Sequence, residues 1–68
     1  MKLSDLLVAL SGNVSLYLTL TNETEGELIT FNAGGYASVE NDLGERDVKT
    51  ITVESRNSVN IDLEDATP

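Results

Sequence analysis

Apolar and polar positions alternate along this chain in two different rhythms. Leu3, Leu6, Leu7 and Leu10 fall at i, i+3, i+4 and i+7, the stripe of one helical face. Ser4 is placed to cap the first turn, Asp5 to meet the positive end of the helix dipole, and Leu3 to close over Val8 as a staple. Gly12 supplies a stop. Two turns do not persist alone, so the leucine face must dock on something.

From residue 14 the rhythm changes to period two. Val14, Leu16, Leu18 and Leu20 alternate with Ser15, Tyr17, Thr19 and Thr21, the clearest strand in the sequence. A polar turn at 22–26 leads into Glu27–Asn32, whose Leu28, Ile29 and Phe31 predict a hairpin partner. Gly34 and Gly35 break the pattern, and adjacent glycines predict positive φ in a loop. Val39 and Leu43 are four apart after Ser38, which predicts one helical turn or a plain turn ending at Gly44. Val48–Glu54 and Val59–Leu63 alternate again around a turn at 55–58, a second hairpin.

The expected fold is α+β, in the order α-β-β-(short helix or turn)-β-β. A short N-terminal helix packs on one face of a four-stranded antiparallel sheet made of two hairpins. Residues 1–64 form the single domain and 65–68 a frayed acidic tail. Leu16, Leu18, Ile29, Phe31, Ile51, Val53, Ile61 and Leu63 are expected under the helix. Tyr17, Thr19, Leu28, Thr30, Val48, Thr50 and Thr52 are expected on the other face. Threonine suits a solvent-facing strand without further purpose. Tyr17, Leu28 and Val48 could instead form a face for self-association, as could an unpaired strand edge.

Composition narrows the chemistry. The 68 residues hold 4 basic and 12 acidic side chains, a formal charge of −8, and neither Cys nor His. Disulfides, zinc fingers, thiol nucleophiles and imidazole bases are excluded. Folding such a chain removes roughly 6,000 Å² from water, enough for one modest core and too little for a core plus a cleft. Ser38 and Ser55 have no histidine to activate them, so no enzymatic activity is expected. The glycines fit neither phosphate-loop nor dinucleotide spacing. Glu40, Asn41, Asp42, Gly44, Glu45 and Asp47 are dense in oxygen donors, yet they miss the EF-hand spacing and enclose Arg46; neither metal nor cofactor is expected. The longest apolar run, Leu6–Leu10, cannot span a bilayer and lacks signal-peptide flanks, so a cytoplasmic protein without membrane association is expected. On that expectation the sequons at Asn13 and Asn22 are chance matches.

The carboxylates come in three groups: Glu23, Glu25 and Glu27; Glu40, Asp42, Glu45 and Asp47; and Asp62, Glu64 and Asp65. In extended chain, i and i+2 lie about 6.6 Å apart, of the same order as the charge spacing along a nucleic-acid backbone. Such an array can occupy a basic groove and speeds encounter with a basic partner. Surface carboxylates also keep a small protein soluble with no partner at all. Direct nucleic-acid binding is not expected, since phosphates would be repelled.

The opening Met1, Lys2, Leu3, Ser4, Asp5, Leu6, Leu7, the run Phe31–Tyr36 and the run Asp42–Ile51 resemble small uncharacterised phage and prophage proteins of Gram-positive bacteria. At its sharpest that resemblance implies an acidic, DNA-mimicking inhibitor of the anti-CRISPR kind. The leading expectation is a non-catalytic module that covers a basic surface of a host or phage protein through Glu23, Glu25, Glu27, Asp42, Glu45 and Asp47. The alternative is an assembly protein that forms a homo-oligomer.

Overall fold

The computed structural model describes residues 1–10, 12, 15–39 and 41–66. Helix α1 spans Leu3–Leu10, strand β1 Tyr17–Asn22, β2 Gly26–Asn32, helix α2 Asn41–Glu45, β3 Val48–Ser55 and β4 Ser58–Leu63. A 3₁₀ segment, Ala33–Ser38, precedes α2. The α+β class, the leading helix, both hairpins and a helical turn around Leu43 agree with the sequence reading, although that turn runs through Gly44 to Glu45 and does not end at the glycine. The strand expected from Val14 begins at Tyr17 among the described residues, and Val14 itself lies outside them.

The sheet is mixed, not antiparallel, which corrects the expected topology. Strand order is β2-β1-β4-β3, with each hairpin antiparallel and the two joined through a parallel β1/β4 pair. Leu18 stands opposite Val59 and Leu20 opposite Ile61, register rising in both strands. Alternation identifies strands but not their relative direction, and here the long link from Ala33 to Asp47 decides it. Enough chain is present to carry β3 to the far edge. The richest strands, β1 and β4, then sit in the middle, where Leu18, Leu20, Ile61 and Leu63 are all essentially inaccessible. Leu3, Leu7, Ala33 and Leu43 complete the buried core.

Three local expectations fail for identifiable reasons. Ser4 does not cap α1, because the helix begins two residues earlier than that cap requires: it starts at Leu3, and the Lys2 carbonyl accepts from the Asp5 and Leu6 amides. That start is fixed by the N-terminal stub, which lies along residues 46–48: the Leu3 amide donates to the Arg46 carbonyl at 2.9 Å and Val48 to Met1 at 2.8 Å. Val8 is exposed, so the staple to Leu3 does not form. Positive φ is found at Gly26 (80°), where the 23–25 turn re-enters β2, and not at Gly34 or Gly35.

Ile51 and Val53 share the helix-side face with Ile61 and Val59 by register, as expected, yet they remain 45% and 73% exposed. An eight-residue helix is about 12 Å long and does not reach across to the β3 edge.

Candidate functional site

The parallel pairing has an electrostatic consequence. Strands that run the same way finish at the same end, so the turn after β1 and the residues after β4 become neighbours. Around this end, Lys2 is within electrostatic reach of Glu45, Asp47 and Asp5; Arg46 of Glu25, Asp42 and Asp65; and Lys49 of Glu23, Glu64 and Asp62. Nine of the twelve carboxylates thus gather about three of the four basic side chains, a surplus of six negative side chains at one pole, or five once the Met1 amino group beside Asp47 is counted. The far pole carries the β3–β4 turn with Glu54 and Arg56.

Asn22 holds this pole together. It is 3% exposed and the only polar residue in the buried set among the described residues. Its Nδ2 donates to the Leu63 carbonyl at 2.9 Å, clamping the end of β1 to the end of β4. Its Oδ1 accepts from the Thr24 and Glu25 amides at 2.9 and 3.0 Å, closing the turn that presents Glu23 and Glu25. A buried side-chain amide offers no site for a glycan. The sequon at Asn13 lies outside the described residues.

Ion pairs add a second layer. Arg46, whose side chain is only 8% exposed, donates from both terminal nitrogens to Glu25, at 2.5 and 3.3 Å. Lys2 pairs with Glu45 at 2.6 Å and Lys49 with Glu23 at 3.1 Å, while the Met1 amino group lies 3.9 Å from Asp47. Lys2 is raised above the usual lysine range by its hydrogen bond to Glu45 and by the nearby negative charge; Glu23 does the same for Lys49. The Glu25 hydrogen bond likewise raises Arg46.

The six carboxylates singled out in the sequence are therefore not equivalent. Glu23, Glu25, Glu45 and Asp47 already have cationic partners within the chain, which lowers what they can offer another molecule. Asp42 and Glu27 are exposed without an ion pair among the described residues. Asp5, Asp62, Glu64 and Asp65 were not expected to join them. The third group was visible as a cluster, but its proximity to the other two depends on the β1/β4 direction, which sequence patterning does not encode. Glu40 lies outside the described residues.

The proposed self-association face does not exist as drawn. Strand β2 carries a bulge opposite Leu20–Thr21, and β3 one between Val48 and Thr50. Each extra residue reverses the in-out alternation beyond it. Leu28 and Val48 consequently pack against the core, leaving Tyr17 exposed without them. The remaining outer face is polar and bonded to itself: Thr19 and Thr30 hydroxyls are 3.3 Å apart, Thr21 donates to Asp62 at 3.0 Å, and Asn60 to Thr21 at 3.3 Å.

Among the described residues no group of three His, Cys, Asp or Glu is arranged to hold a metal ion, and no helix is long and apolar enough to cross a membrane. No family model, curated protein or solved structure matches the chain.

Proposed function

We propose that the chain is a non-catalytic binding module whose acidic pole covers a basic surface of another protein, as a small inhibitor or adaptor of phage or mobile-element origin would do in the cytoplasm. The observation that supports this is the convergence of nine carboxylates on one end around only three basic side chains. The division of labour follows from the ion pairs. Glu23, Glu25 and Glu45 keep the pole in shape through Lys49, Arg46 and Lys2, and Asp42, Glu27, Glu64 and Asp65 face outward to a partner. A basic groove that normally holds a phosphate backbone is the kind of surface such an array fits.

The test is displacement. Labelled duplex DNA is bound to a panel of basic DNA-binding proteins, and the chain is titrated in while polarisation is followed. The reading expects release of DNA from at least one panel member, with an apparent affinity that falls steeply between about 50 and 300 mM salt. The triple variant Asp42→Lys, Glu64→Lys, Asp65→Lys should lose that competition while keeping its circular dichroism spectrum. Failure to displace DNA from any member, or equal competition by the triple variant, overturns the reading.

A further inference from the structure

A different surface, the outer side of the sheet at β3, is left open by the fold. Strand β3 is an outer strand of the sheet, and its outer side is covered only at its start, where the stub Met1–Leu3 pairs with residues 46–48. From Lys49 to Ser55 no other segment of the described chain pairs with that side, a stretch of about 23 Å of exposed strand. It contains no proline, and Ile51 and Val53 stand exposed on it side by side with Thr50 and Thr52. We infer that this edge pairs with the β3 edge of a second copy, antiparallel and centred on Thr52, joining two sheets into one of eight strands.

Register and charge both select that arrangement. Antiparallel partners share a face, so the two sequence numbers must sum to an even value if apolar is to meet apolar. A sum of 104 sets Ile51 against Val53 of the second copy and Val53 against its Ile51, with Lys49 opposite Ser55 at both ends. It uses the whole open stretch and stops short of the stub; a sum of 102 would drive Glu54 into Val48, where Met1 already sits. The bulges fall at Lys49 and Glu54, oppositely charged residues at the two ends of the open stretch. Charges there ordinarily discourage edge pairing. In this register, however, Lys49 of each copy lies within one residue of Glu54 of the other, which offsets that cost for a second copy.

The distribution of charge over the molecule points the same way. Strand β3 starts at the acidic pole and ends at the turn holding Arg56, the only basic side chain without an ion pair among the described residues. Antiparallel pairing sends the two acidic poles to opposite ends of the dimer and brings Arg56 of each copy to the acidic pole of the other. Parallel pairing would set the poles side by side. The β2 edge has no matching property, since Glu27 and the Leu28 bulge interrupt it and it bears no cation.

An edge contact of this length lies below the usual size of a stable interface, so the dimer should be reversible, with a dissociation constant between about 1 µM and 1 mM. Sedimentation velocity from about 10 µM to 1 mM at neutral pH reads it directly. The weight-average mass should climb from that of the 7.3 kDa chain toward twice that value. Val53→Lys reduces the net negative charge and so relieves general repulsion; it should nevertheless weaken association tenfold or more, because it places a lysine against Ile51 of the second copy. Glu54→Lys, which sets a second cation beside Lys49 of the other copy, should weaken it as well. Val53 is so exposed that its replacement leaves folding intact, which circular dichroism verifies. A chain that stays monomeric to 1 mM, or a dimer indifferent to Val53→Lys, overturns the inference, the latter by moving the contact to the β2 edge or the threonine face.

Discussion

Replacing Asn22 probes the joint between fold and acidic pole. Asn22→Ala removes three hydrogen bonds of 2.9, 2.9 and 3.0 Å. Their losses differ. Thr24 and Glu25 are exposed, so their amides can turn to water, and each bond forfeits only about 0.5 kcal/mol net. The Leu63 carbonyl belongs to a residue 1% exposed, and removing the Asn22 donor from a group that water does not reach costs about 1–3 kcal/mol. Together these give about 2–4 kcal/mol, against a total stability of about 3–10 kcal/mol for a chain of this size. Urea unfolding followed by circular dichroism, with a slope near 1 kcal/mol per molar, should show the midpoint falling by about 2–4 M or the variant already unfolded in buffer. Asn22→Asp sharpens the test. It keeps an acceptor for the two amides but sets a carboxylate against the Leu63 carbonyl among Glu23, Glu25 and Glu64. Burial and like charge raise the folded-state affinity of that carboxyl for its proton above the unfolded value. The variant should thus be weak at neutral pH and recover as pH falls and the protonated carboxyl donates. A loss below about 0.5 kcal/mol for Asn22→Ala, or an Asn22→Asp variant insensitive to pH, refutes the clamp.

Other expectations separate core, pole and edge. Leu18→Ala or Ile61→Ala should cost about 2–5 kcal/mol in chemical denaturation, while Val53→Ala, on the uncovered edge, should cost less than about 1 kcal/mol. Arg46→Met, which strips Glu25 of its bidentate partner, should cost about 1–2 kcal/mol by the same assay, the exposure of Glu25 keeping it below a fully buried pair. The raised values of Lys2 and Lys49 mean that their pairs contribute in full below the ordinary lysine value near 10.5 and that the contribution is lost as pH rises through the folded-state values. Thermal melts should therefore decline above about pH 10.5 in the native chain, and less in Lys2→Met, Lys49→Met. Added salt should raise the melting temperature at neutral pH, because screening relieves the surplus of negative charge at the pole more than it weakens the exposed Lys2 and Lys49 pairs.

Much of the fold was legible because local patterns carried it. The leucine stripe of α1 and the alternation of Leu16–Leu20 and Val59–Leu63 mark elements whose burial follows directly from spacing. What escaped was set by features without a local signature. Whether β1 and β4 run together depends on how a long crossover is routed, and only that routing brings Asp62, Glu64 and Asp65 to Glu23 and Glu25. Bulges at Leu28 and Lys49 invert the parity by which Leu28 and Val48 were placed outside. Asn22 read as the first residue of a polar turn, and its burial shows only when the end of β4 lies beside it. Ile51 and Val53 were put on the correct face, but the reach of the helix, not the pattern, decides whether that face is covered.

The parallel β1/β4 pair underlies the clamp, the acidic pole and the open β3 edge alike, and amide NOE spectroscopy on labelled protein tests it most directly. Cross-strand contacts should climb together, Leu18 with Val59, Thr19 with Asn60 and Leu20 with Ile61, alongside contacts from the Asn22 side-chain amide to Leu63. Contacts in which β4 numbers fall as β1 numbers rise, or none at all between the two strands, would contradict the account.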